Sequence, residues 1–144
     1  MFKLLRRWRS AVWVLRALDR STAIVHLGLD GKVIKANALF GDIFGLRPQE
    51  LEGQPHAMLC VPDYAASAQY QDFWRRLSAG ETFGGLFQRR HKDGHLLWLR
   101  ATYNPVFNAA GKVTRIIKLA SDVTAQVEDR LRSTGVLEAI DRSM

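Results

Sequence analysis

Apolar residues near the start of the chain recur at three- and four-residue steps. The series runs Leu4 or Leu5, Trp8, Val12, Leu15 and Leu18. This spacing is typical of one face of an amphipathic helix and predicts a helix over residues 1–20. Its opposite face is basic, so we expect it to pack on the domain or on a second copy of the chain. The alternative is a helix lying on an anionic membrane surface, because Phe2, Trp8 and Trp13 accompany the arginines.

Beyond Ser21 the spacing changes to the two-residue alternation that is typical of strands. Two strand-like runs, at 23–29 and 32–36, are separated by Asp30-Gly31. Asp-Gly is a residue pair favoured in tight hairpin turns. The sequence therefore predicts that a β-hairpin opens the folded domain.

Helical signals follow this hairpin. Asn37 fits the N-cap of a short helix that ends at Gly45, and Pro48 starts a further helical turn. A longer helix is predicted from Val61-Pro62-Asp63 to about Gly80. Its apolar residues at helical steps are Ala66, Tyr70, Phe73, Trp74 and Leu77.

Three more strand-like runs complete the pattern, at 82–91, 95–104 and 112–123. In the middle run one face carries Leu97, Leu99, Ala101 and Tyr103. Two strands, a group of helices and three strands predict an α+β fold over residues 21–124. We expect a five-stranded antiparallel sheet with short helices on one face, a pocket between them, and a helix flanking the domain at each end.

A segment near the N terminus returns at the end of the chain. Residues 14–22 read VLRALDRST and residues 136–144 read VLEAIDRSM, which agree at six of nine positions. A match at a fixed offset indicates the start of a second copy of the domain. The sequence thus predicts a tandem pair in the parent protein, with 125–144 as a helical connector and the start of a truncated second copy. Two unrelated helix ends of similar composition are the alternative.

The distribution of charge argues against nucleic acid as a partner. The chain carries a net charge of +7, of which residues 1–20 supply +5. A nucleic-acid-binding domain places its basic residues over the folded face that meets phosphate, whereas here the domain body is nearly neutral. We therefore expect no nucleic-acid partner.

Composition also narrows the compartment and the chemistry. The single cysteine, Cys60, excludes an internal disulfide, and no segment resembles a signal peptide or a membrane span. We expect a cytoplasmic protein in which Cys60 is a small buried residue. Metal-ligand spacing, a phosphate-binding glycine loop and a nucleophile with a base are all missing from the sequence, so no enzymatic activity is expected.

Several short motifs resemble those of the PAS superfamily over about residues 21–126. They are Asp30-Gly31, Ala36-Asn37, the stretch 50–56 (ELEGQPH), Phe73-Trp74, Gly80-Glu81, the stretch 90–94 (RHKDG), the stretch 98–101 (WLRA) and Asp122-Val123-Thr124. Within the superfamily the chain is similar to the PAS domains of bacterial aerotaxis receptors and soluble methyl-accepting chemotaxis proteins. The resemblance implies a signal-input domain that senses redox state, oxygen or a small molecule. It also implies a homodimer formed through the terminal helices and a downstream signalling coiled coil in the parent protein.

The same resemblance implies a cofactor site. In flavin-binding relatives, positions that match Asn37, His56 and Trp74 contribute to the isoalloxazine pocket, so FAD is the expected cofactor. One alternative is haem, with His56 as the iron ligand; no other metal is expected. A second is a domain without cofactor that serves dimerisation or partner docking. Flavin-cysteine adduct chemistry is not expected, because His56 occupies the position of the reactive cysteine of light-sensing LOV domains.

Overall fold

The computed structural model describes residues 2–135, whose strands pair into one antiparallel sheet in the order β2-β1-β5-β4-β3. The strands are β1 (Ala23–Leu27), β2 (Val33–Ala36), β3 (Phe83–Arg90), β4 (Leu96–Phe107) and β5 (Val113–Asp122). The α-helices are α1 (Phe2–Ser21), α2 (Ala38–Phe44), α3 (Pro48–Leu51), α4 (Pro62–Ala65), α5 (Ala68–Ser78) and α6 (Thr124–Ser133), and a 3₁₀ helix spans His56–Leu59. The predicted α+β fold with a five-stranded sheet is confirmed.

The core lies between the inner face of the sheet and the short helices α2 to α5. The four alternate residues predicted to share one face of β4 are all buried, namely Leu97, Leu99, Ala101 and Tyr103. Phe40 and Phe44 of α2 and Leu77 of α5 are fully buried against this face. The two-residue period therefore identified the inner face of the central strand correctly.

The region predicted as one long helix contains two helices, α4 and α5. Ser67 separates them with an extended backbone, and its Oγ accepts a hydrogen bond from the backbone N of Tyr70 at 3.2 Å. Ser67 is thus the N-cap of α5, and the prediction that a single helix starts at Asp63 was wrong. Four of the five apolar residues in the predicted series lie in α5, whereas Ala66 lies between the two helices and is exposed.

The predicted opening hairpin is confirmed, with strands shorter than expected. Its turn is closed by a hydrogen bond from the backbone N of Gly28 to the backbone O of Lys32 at 2.8 Å. Gly31 adopts a φ of +80° there, a conformation that glycine reaches without a steric penalty. At the other side of the sheet, β4 extends three residues beyond the predicted end and includes Pro105.

The N-terminal helix α1 is one continuous helix of 20 residues, and none of them is buried. The side chains of Trp8 and Leu15 are 67% and 58% exposed. A groove of about 460 Å³ lies between α1 and the outer face of the sheet. Within residues 2–135, none of the helices combines the length and the hydrophobicity that a membrane crossing demands.

At the other end of the domain, α6 provides the first part of the predicted connector. The second copy of the repeat, residues 136–144, lies outside the described residues. The tandem arrangement therefore stays a prediction.

Asn37 joins the end of α1, the start of β1 and the start of α2. Its Oδ1 accepts hydrogen bonds from the backbone N of Ile24 at 3.0 Å and of Phe40 at 2.9 Å. Its Nδ2 donates to the backbone O of Thr22 at 2.7 Å and of Asp19 at 3.1 Å. The predicted N-cap is confirmed, and the same side chain also anchors α1 to the domain.

Replacing Asn37 should test how much this junction stabilises the domain. We expect Asn37→Ala to lower the free energy of unfolding by about 2 kcal/mol, because a helix cap is lost and the backbone N of Ile24 loses its acceptor. Asn37→Asp keeps the capping acceptor but sets a carboxylate oxygen against the oxygens of Thr22 and Asp19, so it should also destabilise the domain. Urea denaturation measures both, and an alanine variant as stable as the wild type would contradict this role.

Candidate functional site

A cluster of polar side chains fills the interior between the sheet and the short helices. His56 and Lys118 are 0% exposed, Arg89 is 2% exposed and Tyr103 is 0% exposed. The hydroxyl of Tyr70 completes the cluster from the side of α5. We call these five residues the interior cluster. Because burying polar groups costs free energy unless they are paired, each contact within the cluster matters.

Strand register and a short loop position these side chains. Tyr103 on β4 lies directly opposite Lys118 on β5, on the inner face of the sheet. Arg89 follows from β3, the edge strand beside β4. His56 begins the 3₁₀ helix, and its backbone N donates to the backbone O of Gly31 at 2.8 Å. The hairpin turn therefore fixes the loop that carries the imidazole.

The interior cluster forms one chain of hydrogen bonds centred on His56. Arg89 Nη2 donates to the hydroxyl of Tyr103 at 3.0 Å, and that hydroxyl lies 3.2 Å from His56 Nε2. Lys118 Nζ lies 3.2 Å from the same Nε2, and Tyr70 Oη lies 2.7 Å from Nδ1. In a neutral imidazole with its proton on Nδ1, Nδ1 donates to Tyr70, and Tyr103 and Lys118 share the single lone pair of Nε2 as donors.

Burial controls the protonation of this cluster. Burial, and then the charges of Lys118 and Arg89, hold the pKa of His56 well below its ordinary value. Burial, and then the charge of Arg89, likewise hold the pKa of Lys118 well below its usual range. Burial raises the pKa of Tyr103 to about 12, against the opposing effect of Arg89. The imidazole and the phenol are therefore neutral near pH 7.

The cluster contains cationic groups without an anionic partner. Within residues 2–135 none of the aspartates and glutamates is buried. Arg89 Nη1 donates to the backbone O of Gln88 at 2.8 Å, but its Nε has no hydrogen-bond partner. A buried guanidinium N–H without an acceptor is rare in folded proteins, so it marks a place where an acceptor is missing.

Comparison with known proteins assigns this architecture to a family. A family model described as the PAS fold matches residues 33–120. The chain belongs to the PAS family. This confirms the resemblance drawn from the short motifs of the sequence.

The relatives of this PAS domain include signalling proteins. The chain is 42% identical over 130 residues to biofilm dispersion protein BdlA of Pseudomonas aeruginosa, covering 90% of the chain and 31% of that protein. It is 32% identical over 106 residues to the aerotaxis receptor of Escherichia coli K12, covering 74% and 21%. The oxygen sensor protein DosP of the same organism is 23% identical over 136 residues, covering 92% and 16%. The chain thus spans less than a third of the length of these relatives.

Solved structures show the same fold. A PAS domain from Colwellia psychrerythraea matches with a TM-score of 0.70 and 24% identity, covering 80% of this chain and 98% of that one. An RNA-binding light-oxygen-voltage receptor matches with a TM-score of 0.72 and 25% identity, covering 90% and 37%. These structures show the fold, and the sequence relatives relate this PAS domain to aerotaxis and oxygen-sensing proteins.

Two of the three predicted site residues lie together. The rings of His56 and Trp74 meet edge to face with centroids 5.7 Å apart. Trp74 also lines a cleft of about 400 Å³ beside the hairpin turn, together with Gly31 and Pro55. Both polar atoms of the Asn37 amide, in contrast, are engaged at the junction of α1, β1 and α2. The geometry therefore groups His56 and Trp74 and gives Asn37 a different set of contacts.

A second cleft reaches the interior cluster from the other side of the short helices. It measures about 390 Å³ and lies between α4 and the outer part of β3. Arg89 contributes to its lining, beside Tyr64 and Phe87. The guanidinium carbon lies 5.6 Å from the ring centroid of Tyr64 and 5.2 Å from that of Phe87. This cleft therefore leads from the surface to one of the buried cations.

The sequence analysis did not identify Tyr70, Arg89, Tyr103 or Lys118 as polar members of the site. Tyr70 and Tyr103 were noted only for their apolar spacing. The signal was nevertheless present in the strand period, because Lys118 alternates with Ile116 and Ala120, which both face the core. A charged residue at an inward position of a strand identifies a buried polar site.

Cys60 lies next to the cluster as a small buried residue, as expected from the sequence. It is 1% exposed, and its Sγ is 3.8 Å from His56 Nδ1. Burial raises the pKa of its thiol. The thiol form therefore predominates, which disfavours Cys60 as a nucleophile.

A separate group of titratable side chains lies on the turn between β3 and β4. His91, Asp93 and His95 place their ligand atoms within 4.8 Å of one another. Asp93 Oδ1 accepts a hydrogen bond from the backbone N of His95 at 3.0 Å, and Asp93 N donates to His91 Nδ1 at 3.2 Å. These bonds within the turn account for the arrangement. The group lies outside the interior cluster.

The buried histidine gives the domain a pH dependence that can be measured. Since the pKa of His56 is lowered by folding, the unfolded chain binds the extra proton below about pH 6.5, and the free energy of unfolding should fall as the pH drops below that value. His56→Gln should flatten this loss between about pH 6.5 and 5, as measured by urea denaturation. His26→Gln should remove a smaller part, since burial also lowers the pKa of His26. An unchanged slope in His56→Gln would refute the assignment.

Proposed function

We propose that this PAS domain is the signal-input domain of a cytoplasmic, chemotaxis-type transducer and has no catalytic activity of its own. The observation that carries the proposal is the interior cluster, whose buried polar groups join the sheet, the 3₁₀ helix and α5. Such a cluster can respond to a small molecule in the core, because a ligand that contacts the cluster contacts the sheet, the 3₁₀ helix and α5 at once. The aerotaxis receptor and the oxygen sensor among the relatives support this interpretation.

A flavin is the cofactor that we propose. Trp74 supplies a flat surface at the cleft beside Gly31 and meets the buried ring of His56 edge to face, so an isoalloxazine in this cleft would pack beside the interior cluster. In flavin proteins the ring system supplies the redox chemistry, and the protein orients it and sets its charge environment. We therefore keep FAD as the proposed cofactor.

Haem fits the described site less well. An iron ligand must offer one imidazole nitrogen without a competing partner, whereas Nδ1 of His56 contacts Tyr70 and Nε2 contacts Tyr103 and Lys118. Ligation would require breaking contacts of the interior cluster on one side of the ring. We therefore do not propose haem.

The end of the sheet offers a route from the core to the following helix. Asp122 Oδ1 accepts a hydrogen bond from the backbone N of Thr124 at 2.9 Å, which fixes the start of α6. Thr124 Oγ1 accepts one from the backbone N of Trp98 at 2.9 Å, on β4. A shift of β4 against β5 would thus move the first turn of α6. In the parent protein this motion would be passed to a connector and a signalling coiled coil.

The absorbance spectrum of the purified protein tests the ligand. Flavin bands, with FAD identified by mass spectrometry after denaturation, are the expected result. Trp74→Ala should then lower the cofactor content severalfold, because it removes one wall of the cleft. The exposed-site variant Trp13→Ala serves as the control and should keep full content. A colourless wild-type protein that releases no small molecule would favour a domain without cofactor.

We also propose that α1 mediates a homodimer. The groove between α1 and the sheet is lined mainly by apolar side chains, among them Val12, Leu15, Ile117 and Leu119. A stripe of this kind is costly to leave in water, and a second copy of α1 provides a surface of matching length and apolarity. Apart from Arg16, which lines the groove, the basic residues of α1 would then remain on the solvent side.

Sedimentation of paired variants tests the dimer. Leu15→Asp should weaken association about tenfold or more, because it places a charge on the apolar stripe. Ser10→Asp makes the same change of charge on the opposite face and should have little effect. Added salt should strengthen the dimer, since the two helices carry charge of the same sign. A wild-type chain that stays monomeric at the highest concentration reached would overturn the proposal.

A further inference from the structure

Arg89 and Lys118 are buried basic side chains that no carboxylate contacts. Their hydrogen-bond partners are all neutral: the backbone O of Gln88, the hydroxyl of Tyr103 and the imidazole of His56. Lys118 otherwise faces aromatic rings, with its Nζ 4.9 Å from the ring centroid of Tyr103. Arg89 Nε has no partner at all. Within residues 2–135 the interior thus holds two basic side chains and no acidic one.

Burying two basic side chains without an acidic partner disfavours folding, so folding alone does not explain why they are there. Removing a cation from water costs several kcal/mol, and aromatic faces and neutral hydrogen bonds recover only part of that cost. Apolar side chains of similar length would fill the same space without the cost. An unpaired N–H and an ammonium group with donors to spare are, in contrast, what an anionic ligand requires.

Arg89 and Lys118 belong to the same chain of contacts. Arg89 Nη2 donates to the hydroxyl of Tyr103, and both that hydroxyl and Lys118 Nζ lie 3.2 Å from His56 Nε2. The planar guanidinium presents its N–H groups in a fork that matches the two oxygens of a carboxylate. A phosphate presents similar oxygens with more charge, so it serves as the competing anion in the test.

We propose that the interior of this PAS domain binds a small organic carboxylate, held between Arg89 and Lys118. The proposal rests on the proposed function, because it takes the interior as the ligand site. The cleft between α4 and β3 is the route of access, since Arg89 forms part of its lining. A carboxylate there accepts a hydrogen bond from the free Nε–H of Arg89 and stabilises the charged form of Lys118.

Thermal unfolding of the full chain tests this inference with two probes, sodium formate and sodium benzoate. Each is compared with sodium chloride at equal ionic strength, and sodium phosphate forms a separate arm. We expect a saturable rise of Tm with at least one carboxylate, beyond that with chloride or phosphate. Arg89→Met and Lys118→Met should each raise the apparent Kd about tenfold or more. Arg90→Met, an exposed neighbour on β3, should bind as the wild type does.

A second measurement needs no variant. In the wild-type protein the buried Nε–H of Arg89 should give a nitrogen-proton resonance that shifts with the same saturation as the Tm. No carboxylate-specific gain in the wild type, a gain kept in both methionine variants, or a gain from phosphate alone would overturn the inference. A neutral ligand released from the purified protein, together with no carboxylate effect, would overturn the inference and leave the sensory function standing.

Discussion

The contacts of His56 hold the two layers of the domain together. Nε2 of its imidazole contacts Tyr103 of β4 and Lys118 of β5, and Nδ1 contacts Tyr70 of α5. Because the ring is fully buried, each of these contacts is made in a medium of low polarity, where a missing partner is costly. The ring orientation, the position of the 3₁₀ helix and the spacing between α5 and the sheet are therefore coupled. A change at any one contact alters the conditions at the others.

The sequence predicted the sheet more fully than the site. Strand runs and glycine-containing turns are local signals, and they identified every strand and the buried face of β4. The N-cap of α5 was missed because Ser67 lies inside a run of helical spacing that spans two helices. The interior cluster depends on register between distant strands, such as Tyr103 against Lys118. No local pattern specifies which inward residues become neighbours across a sheet.

The three residues inferred from the family resemblance show a similar limit. His56 and Trp74 lie in one aromatic group, with His56 fully buried and Trp74 lining a cleft. Asn37 uses its amide to join three elements. An asparagine between a strand and a helix has unpaired backbone groups on both sides. Its side-chain amide can therefore make hydrogen bonds to these nearby backbone groups. Matching a residue to a family motif therefore predicts roughly where it lies, whereas its hydrogen bonds determine its role.

The central strands connect the interior cluster to both ends of the domain. β1 starts directly after α1, and β5 ends directly before α6. Ala23 at the start of β1 pairs with Ala120 near the end of β5, so the two terminal helices leave the sheet at the same end. Lys118 lies two residues from that pairing and is itself paired with Val25 of β1. Under the proposed function, a ligand that moved Lys118 would act on the two adjacent strands that carry the terminal helices, and the signal would reach both helices without crossing the rest of the fold.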